Sequence, residues 1–453
     1  MASFVRPSRR SRRFLLGCVA ALVSLLLAEL VVRLVVRPDR WLSPQRLDFF
    51  ERQASSATGS LQPDEELGHV PVLDGHSHDA FGLLREHGPT PGVAKPKGTC
   101  RILFLGDSVT ARGRIVLPLR ALWGGGAVEF LNAGFESANP IQSIELYFRH
   151  QRQLAPDQVV LTLHNNDLTV TSTCLYDANG TLRLCNPHDQ RALNAGLYRW
   201  SALYRLWFSA GLYDYMRDDH YLDLAGPVAA ALRRLRDDLA SRGARLDVLL
   251  LPVLSPPADW RPHQAAARER ELEILGELGI AAVDLLPACE ELCMAKIPIT
   301  QVPRDVWHPN DAAGAWFALA AVRAGLFPAA TAFATAAETT IEPGGTQRIA
   351  IDAGEACACA AFLVLGSKRG LQPPLEVFGV WFPLIPDDYT RATWESGAPF
   401  RGVLDAKGRT TVELPASTPP DVAGVLCWHV ILVEPKQGSR QLSGPLPMIV
   451  RGR

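Results

Sequence analysis

Arg101-Ile102-Leu103-Phe104-Leu105-Gly106-Asp107-Ser108-Val109-Thr110 is the stretch that decides the fold of this 453-residue chain. Its apolar run ends at a Gly-Asp-Ser corner, which predicts a buried strand of a parallel sheet. Gly106 permits the sharp turn that must follow the strand. Ser108 is then expected at the carboxyl end of the strand, where open α/β sheets bind ligands and where a helix N-terminus stabilises negative charge. Ser108 is therefore a candidate nucleophile, and Asp107 is a candidate helix cap.

A carboxylate and an imidazole further along the chain are the expected partners of Ser108. Asp305 and His308 lie three residues apart, just before a helix predicted over Ala312 to Leu326. Because this spacing places both residues on one turn, the aspartate can fix the tautomer of the histidine, and the histidine can take the serine proton. Two corners rich in hydrogen-bond donors lie between them, each after a strand-like run: Asn132-Ala133-Gly134 and His164-Asn165-Asn166-Asp167.

These four signals, in this order, resemble the SGNH (GDSL-like) hydrolase family over about half of the chain, residues 100 to 326. Ser108, Gly134 and Asn166 match the first three blocks of the family, and Asp305 with His308 match its closing DxxH. The resemblance implies that Ser108 is the nucleophile of a Ser-His-Asp triad. It also implies an oxyanion hole formed by the backbone N–H groups of Ser108 and Gly134 and the side chain of Asn166.

The chain departs from the family in the two oxyanion loops. His164 stands where the third block usually has glycine, and Phe135-Glu136-Ser137 replaces a segment with a second glycine. Asp167 is expected to hold the third loop in place.

The alternation of strands and helices from residue 101 to 326 predicts a parallel sheet with helices on both faces. The resembled family implies a three-layer α/β/α, flavodoxin-like domain over residues 100–330. The expected strands are Ile102–Leu105, Val128–Leu131, Val159–Leu163, Leu246–Leu251 and Ile280–Leu285, and the expected helices include Ile141–Leu154, Val228–Arg242 and Gln264–Leu278.

In residues 337–453 the pattern changes to short strand-like runs separated by Gly and Pro turns. It predicts an all-β, sandwich-like domain, which is either a glycan-binding or a spacing module. The expected strands are Arg348–Ile351, Ala360–Leu365, Leu375–Phe382, Thr410–Leu414, Val425–Val433 and Pro447–Val450.

Residues 1–37 predict a basic cytoplasmic flank and one transmembrane helix. The apolar run from Phe14 to Val36 is long enough to span a bilayer, and the arginines before it place the N-terminus in the cytoplasm. Glu29 and Arg33 interrupt the run and, four residues apart, can pair on one helix face. A cleaved signal peptide is the alternative, but no clear Ala-x-Ala site follows the run. The expected location is a bacterial cell membrane, single-pass, with the catalytic domain periplasmic or otherwise extracytoplasmic.

Two segments leave alternatives open. Residues 38–99 are either an arm that packs over the hydrolase domain or a solvated linker. The histidines in this segment fit no standard metal site and are expected to be exposed: His69, His76, His78 and His87. Farther on, Trp200, Tyr204 and Trp207 fall at helical spacing, which indicates core packing or, alternatively, a sugar- or acyl-binding wall.

Eight of the nine cysteines lie outside the anchor, which favours disulfides in an exported protein. Asn179-Gly180 is a strong signal for a two-residue hairpin turn. Such a turn places Cys174 directly opposite Cys185 and predicts a disulfide between them.

The sequence as a whole predicts an extracytoplasmic serine ester hydrolase that removes small acyl groups, O-acetyl above all, from a substrate such as an acetylated polysaccharide. An O-acetyltransferase with the same triad is the first alternative, and an inactive glycan-binding protein is the second. No cofactor or metal is implied. The net charge of −1 gives no sign of a nucleic-acid partner, and the oligomeric state stays open.

Overall fold

The computed structural model describes residues 9–35, 43–57, 59–123, 128–170, 173–186, 190–209, 221–303, 305–327, 334–377, 380–416, 424–435 and 440–452. The predicted basic flank before Arg9 lies outside these residues. The chain forms two compact units, Met1–Val72 with Thr171–Asp214, and Leu73–Val170 with Tyr215–Arg453. They are called the anchor unit and the main unit below.

The α-helices are α1 Arg9–Val35, α2 Arg46–Ala57, α3 Ser108–Ala111, α4 Val116–Trp123, α5 Pro140–Leu146, α6 Ala195–Trp200, α7 Ala202–Ser209, α8 Ala225–Ser241, α9 Pro262–Leu278, α10 Leu286–Met294, α11 Asp311–Arg323 and α12 Asp388–Glu395. The strands up to the end of the parallel sheet are β1 Leu61–Asp64, β2 Gly68–Pro71, β3 Cys100–Leu105, β4 Val128–Asn132, β5 Gln158–His164, β6 Thr173–Tyr176, β7 Leu182–Cys185, β8 Arg245–Leu251 and β9 Ala281–Asp284. The later strands are β10 Ala334–Ala336, β11 Thr340–Ile341, β12 Thr346–Asp352, β13 Ala361–Ser367, β14 Leu371–Val377, β15 Val380–Leu384, β16 Arg401–Val403, β17 Arg409–Pro415, β18 Val425–Glu434, β19 Gln441–Leu442 and β20 Leu446–Val450.

The main unit is built on a five-stranded parallel sheet in the order β4-β3-β5-β8-β9. Numbered within the sheet, this is the flavodoxin-like order 2-1-3-4-5. Leu103 of β3 lies opposite Leu131 of β4 and Val159 of β5, so the strand before Ser108 is central and buried. The predicted α/β fold with a parallel sheet is confirmed, and the five strands lie within about two residues of their expected bounds.

The later strands form two further sheets, β10-β12-β17 and β11-β20-β18-β13-β16 with β19 beside β18. Ile349 and Val412 of the first sheet share one apolar cluster with Val364 and Ile431 of the second. The single strand expected over Leu375–Phe382 is wrong: β14 and β15 are two strands that pair antiparallel, and residues 378–379 between them lie outside the described residues.

The core beneath α11 continues into these later strands without a break. Trp316 and Phe317 of α11 belong to the same buried cluster as Phe104 of β3, Leu384 of β15 and Trp428 of β18. The rings of Trp316 and Trp428 lie 6.5 Å apart, centroid to centroid. The C-terminal strands therefore bury part of the α/β layer itself.

The segment before the first parallel strand is packed in part: it has buried residues in both units, whereas residues 92–94 and 96–98 are exposed. In the anchor unit, Leu47 and Phe50 of α2 are buried. In the main unit, the backbone N–H of Leu84 donates to the carbonyl of Asn132 over 2.9 Å. The expectation of exposed histidines is wrong for His69, His78 and His87, which are buried because this arm packs against the fold.

The cysteine prediction is also wrong: all nine cysteines are described, and all nine are free thiols. In the β6–β7 hairpin, Cys174 pairs with Leu184 and Cys185 with Thr173, one residue away from the expected register. The cause is Asp177, whose Oδ1 accepts the N–H groups of Asn179 and Thr181. This closes a longer loop than the expected two-residue turn, and a shift of one residue puts the two cysteines on opposite faces of the hairpin.

Of the aromatic stripe of α6 and α7, Tyr204 packs against the buried cluster but the two tryptophans do not, so the favoured interpretation is wrong for them. Trp200 is 79% exposed and Trp207 is 52% exposed. The buried face of these helices is formed instead by Tyr198 and Phe208, which pack on Phe50 of α2.

Gly314 of α11 lies against the backbone of the turn after α3, and this contact sets how close the two elements come. A Cβ on Gly314 would overlap the Arg114 carbonyl group and lie 2.8 Å from its carbon. Gly276 of α9 is a useful comparison, because a Cβ there meets nothing within 4 Å.

We expect Gly314→Ala to lower the free energy of unfolding by about 1–3 kcal/mol, because it overpacks a backbone contact. Gly276→Ala should raise it by about 0.5–1 kcal/mol, because alanine is the better helix former. Denaturant unfolding of the wild type and both variants in the same detergent measures these changes in the free energy of unfolding. Equal effects of the two substitutions would contradict the close contact.

Candidate active site

Ser108 begins α3, directly after the central strand β3. Gly106 has a φ of 151°, and a Cβ there would overlap the hydroxyls of Thr162 and Thr110, so glycine is required at this corner. Asp107 caps α3: its Oδ1 accepts the N–H of Val109 over 2.8 Å. The expected capping role of Asp107 is confirmed, and it leaves Ser108 as the first residue of the helix.

The structure brings Asp305 and His308 together with Ser108 at hydrogen-bond distances. Ser108 Oγ lies 2.9 Å from His308 Nε2. His308 Nδ1 lies 2.8 Å from Asp305 Oδ2 and 3.1 Å from Asp305 Oδ1. With Asp305 ionised, Nδ1 carries the ring proton and Nε2 is left as the acceptor that faces the serine hydroxyl.

Asp305 is held rigidly by its own turn. Its Oδ1 also accepts the backbone N–H groups of Trp307, over 3.0 Å, and His308, over 3.2 Å. Burial alone would raise the pKa of Asp305, but the hydrogen bonds from Trp307 and His308 outweigh it, and the pKa lies below its usual range. Asp305 is therefore ionised at neutral pH.

The segment that carries the histidine is pinned at both ends. The N–H of Leu254, after β8, donates to the carbonyl of Val306 over 2.8 Å. On the other side, Asn310 caps α11 by accepting the N–H of Ala313 over 2.9 Å. The close approach of α11 to Arg114 then sets the distance between His308 and Ser108.

The three expected oxyanion donors differ in their surroundings and hydrogen-bond partners. The N–H of Gly134 donates to Asn132 Oδ1 over 2.9 Å, and a Cβ on Gly134 would lie 2.5 Å from the Ala111 nitrogen. Gly134 therefore serves the close approach of its loop to α3. Asn166 is half-buried on the loop after β5, and Ser108 presents its N–H in the first turn of α3.

Asp167 holds the third loop, as expected. Its Oδ2 accepts the backbone N–H of His164 over 2.7 Å. Asn165 fixes the same loop to α9, because its Nδ2 donates to the Gln264 carbonyl over 2.8 Å.

Three buried carboxyl groups lie behind the serine, and burial is the first cause of each pKa shift. Burial raises the pKa of Asp107 to about 6, although its bond from Val109 lowers it. Burial raises the pKa of Asp167 well above its usual range, and the carboxyls of Asp107 and Glu271 raise it further. Burial also raises the pKa of Glu271 to about 8. Neither carboxyl oxygen of Glu271 has a hydrogen-bond partner among the described residues.

His164, the last residue of β5, packs its ring edge-on against Trp307 at 4.8 Å. Burial, then the nearby His308, lower the pKa of His164 to about 3. His164 is therefore a neutral ring that supports the Trp307-His308 turn and does not compete with His308 as a base.

Two sets of neighbours around the serine have no recognisable sequence pattern. Arg112 follows α3, and its Nη1 donates to Gln301 Oε1 over 2.9 Å, with Glu136 3.5 Å from its Nε. Beside the second loop, Asn132 Nδ2 lies 2.9 Å from His87 Nδ1. Both depend on contacts between segments far apart in the chain. Among the described residues, no group of three or more His, Cys, Asp or Glu side chains could hold a metal ion.

The sequence matches no family model and no curated protein. Several solved structures are similar to part of the chain. The acetylxylan esterase Axe2 of Geobacillus stearothermophilus is 16% identical, over 52% of this chain and 99% of that one, with a TM-score of 0.35. A member of the lipolytic protein G-D-S-L family from Veillonella parvula DSM 2008 is 16% identical over 50% of this chain and 97% of that one, with a TM-score of 0.31. The acetyl xylan esterase AlAXEase is 13% identical over 49% of this chain and 98% of that one, with a TM-score of 0.33.

At these identities and TM-scores, the similarity carries no conclusion about activity. What the site can do follows from its own groups. A serine hydroxyl, a neutral imidazole acceptor and an ionised carboxylate in a hydrogen-bonded row are the parts of an activated nucleophile.

We expect Glu271→Gln to flatten the pH dependence of stability. Because the pKa of Glu271 is about 8 in the folded protein and near 4.5 when unfolded, the wild type loses stability as the pH rises through this window. The loss is at most about 1.4 kcal/mol per pH unit. Glutamine does not ionise, so the variant lacks this loss. The gain in its free energy of unfolding over the wild type should therefore grow from pH 5 to pH 8.

Thermal unfolding at several pH values measures this gain. Glu269→Gln, on the exposed side of the same helix, is the matched control and should leave the profile of the wild type unchanged. A gain from Glu271→Gln that is the same at pH 5 and pH 8 would show that this carboxyl is not held protonated by burial.

Proposed function

We propose that the protein is a serine ester hydrolase in which Ser108 is the nucleophile, His308 the general base and acid, and Asp305 the group that orients the imidazole. The observation that carries the proposal is the row of hydrogen bonds from Ser108 Oγ to His308, 2.9 Å, and from His308 to Asp305, 2.8 Å. These residues are about 200 positions apart in sequence, so the row is a product of the fold.

In the acylation step, Ser108 Oγ attacks the ester carbonyl carbon while its proton passes to His308 Nε2. The carbonyl oxygen becomes an oxyanion, which the N–H of Ser108 and the amide NH₂ of Asn166 stabilise. The N–H of Gly134 is the third donor. It donates to Asn132 Oδ1 in the free protein and must leave that oxygen to donate to the oxyanion. When the intermediate collapses, the bond to the alcohol breaks, and His308 gives its proton to the leaving oxygen.

In the deacylation step, His308 takes a proton from water, which attacks the acyl-serine. The carboxylic acid leaves, and the proton returns to Ser108 Oγ through His308. Asp305 stays ionised throughout and stabilises the imidazolium.

The substrate class we propose is a small acyl ester of a hydroxyl-rich molecule, O-acetyl groups on a polysaccharide above all. The support is the polar edge formed by Arg112, Glu136 and Gln301, whose donors and acceptors suit sugar hydroxyls. The Trp307 ring beside His308 supplies an apolar wall of limited size.

We further propose that α1 anchors the chain in a bacterial membrane, with the catalytic unit outside the cytoplasm. Arg13–Val35 is a helix long and apolar enough to span a bilayer, a test that a signal sequence also passes. The exposed apolar side chains along this helix, with no protein packed over most of them, support the anchor.

We expect Ser108→Ala and His308→Ala to abolish turnover of a short-chain aryl ester and of an acetylated polysaccharide. The two losses should be similar, because serine and histidine act as a unit. Asp305→Ala should leave more activity, because it orients the base without taking the proton. His76→Ala replaces an exposed histidine and is the matched control, which should turn over like the wild type.

Circular dichroism confirms that each variant is folded. Released acid is measured with and without added glycan, so that hydrolysis is distinguished from transfer to a sugar hydroxyl. Wild-type turnover by folded Ser108→Ala would refute the proposed nucleophile.

We expect Asn166→Ala to lower kcat by about 10²–10³-fold, with little change in KM, because it removes a donor that acts in the transition state. Formation of the acyl-enzyme should be slowed but still detectable by mass spectrometry. An effect on KM alone would assign Asn166 to substrate binding instead.

A further inference from the structure

Glu29, a charged residue within the apolar helix α1, has hydrogen-bond partners at the start of α7 in the same unit. Its carboxylate accepts the hydroxyl of Ser201 over 2.8 Å and the backbone N–H groups of Ala202, over 2.7 Å, and Leu203, over 2.9 Å. These N–H groups are unsatisfied by the helix itself, since they lie in the first turn of α7. A negative charge at that position is also favoured by the helix dipole.

Arg33, one turn further along α1, completes this contact. Its Nε donates to Glu29 over 2.7 Å, and its Nη2 donates to the carbonyl of Trp200, the last residue of α6. The pairing of Glu29 with Arg33 expected from their spacing is confirmed. One ion pair on α1 therefore holds the end of α6 and the start of α7.

This contact argues that α1 stays in the mature protein. A signal peptide removed after export would leave the first N–H groups of α7 without the acceptor that the fold gives them. Residues of the anchor and residues about 170 positions later form one folded unit.

The α6–α7 pair, which the Glu29–Arg33 pair holds at the Trp200 carbonyl, carries four exposed large apolar side chains. Together they are called the aromatic patch: Leu197 is 50% exposed, Trp200 79%, Leu206 37% and Trp207 52%. The guanidinium of Arg191 lies 4.3 Å over the Trp207 ring. Soluble surfaces rarely gather such groups without an occupant.

The position of the patch along α1 indicates what that occupant is. Glu29 precedes Val35 by six residues, which is about 9 Å of helix, and the apolar run from Phe14 is about 33 Å long. If that run spans a hydrocarbon core of about 30 Å, Arg33 lies at its outer boundary and Glu29 lies about one helical turn inside it. Tryptophan and arginine are the residues that settle at this boundary, where a ring is half in lipid and a charge reaches water.

We propose that the aromatic patch is a second membrane contact, in which Trp200 and Trp207 lie in the outer interfacial layer of the bilayer that α1 spans. The inference rests on the proposed anchor. The occupant is lipid, continuous with the lipid around α1. The Glu29–Arg33 pair fixes the depth of the patch, and its charges are satisfied within the protein at a level where an unpaired charge is costly.

The test uses the full chain in nanodiscs made with phosphatidylcholine brominated near the headgroup end of the acyl chains, which quenches nearby tryptophans. We expect the Trp200→Phe/Trp207→Phe variant to lose about half of the emission that this lipid quenches, since the two interfacial indoles are removed. Trp394→Phe is the matched control: this tryptophan is 39% exposed on α12, and its removal should leave the lipid-quenched emission unchanged.

A second variant tests whether the Glu29–Arg33 pair fixes the depth of the aromatic patch. Glu29→Leu keeps α1 apolar, so the protein should stay in the carbonate-washed membrane fraction. Amide hydrogen exchange in residues 197–209 should become at least tenfold faster, because α6 and α7 lose a contact. A tenfold change corresponds to about 1.4 kcal/mol.

The outcomes separate the two proposals. A wild-type protein found outside the membrane fraction overturns the anchor, and the inference with it. A wild-type protein in the membrane whose patch tryptophans are quenched by aqueous acrylamide and not by brominated lipid overturns the inference alone. Shielding from both quenchers would assign the patch to a protein or glycan partner, which also overturns it.

Discussion

The site depends on one close contact between two backbones. Gly314 in α11 lets that helix approach the carbonyl of Arg114, in the turn that follows the serine helix α3. Ser108 belongs to one of these elements, and His308 comes just before the other, so the distance between them is set by packing. The close approach at Gly314 is therefore one of the contacts that hold Ser108 Oγ and His308 Nε2 at 2.9 Å.

Burial sets the electrostatics behind the serine. Asp107, Asp167 and Glu271 are taken out of water, and each holds its proton to a higher pH than a free carboxyl would. Asp305 is only half-buried and has three hydrogen bonds that favour the charged form, so its pKa moves down. Environment thus gives carboxyl groups of one region different charge states at neutral pH: Glu271 keeps its proton, and Asp305 is the ionised partner of the histidine.

Much of the fold and the residues of the candidate site could be predicted because their signals are local. A buried strand that ends at glycine, or Asp305 and His308 on one turn, is visible in a few consecutive letters. The Cys174–Cys185 disulfide failed because Asp177 lengthens the loop and shifts the register by one residue. The exposure of Trp200 and the burial of His87 were missed because each depends on segments far apart in the chain, which spacing does not reveal.

The apolar core shared by α11 and the C-terminal strands bears on how this chain can be divided. Trp316 packs on Trp428, and Leu384 closes the same cluster as Phe104. A fragment that stopped at residue 330 would keep every proposed catalytic group and yet expose these side chains to water. The α/β half is therefore not a separable domain, because the later strands complete the apolar core on which the parallel sheet packs.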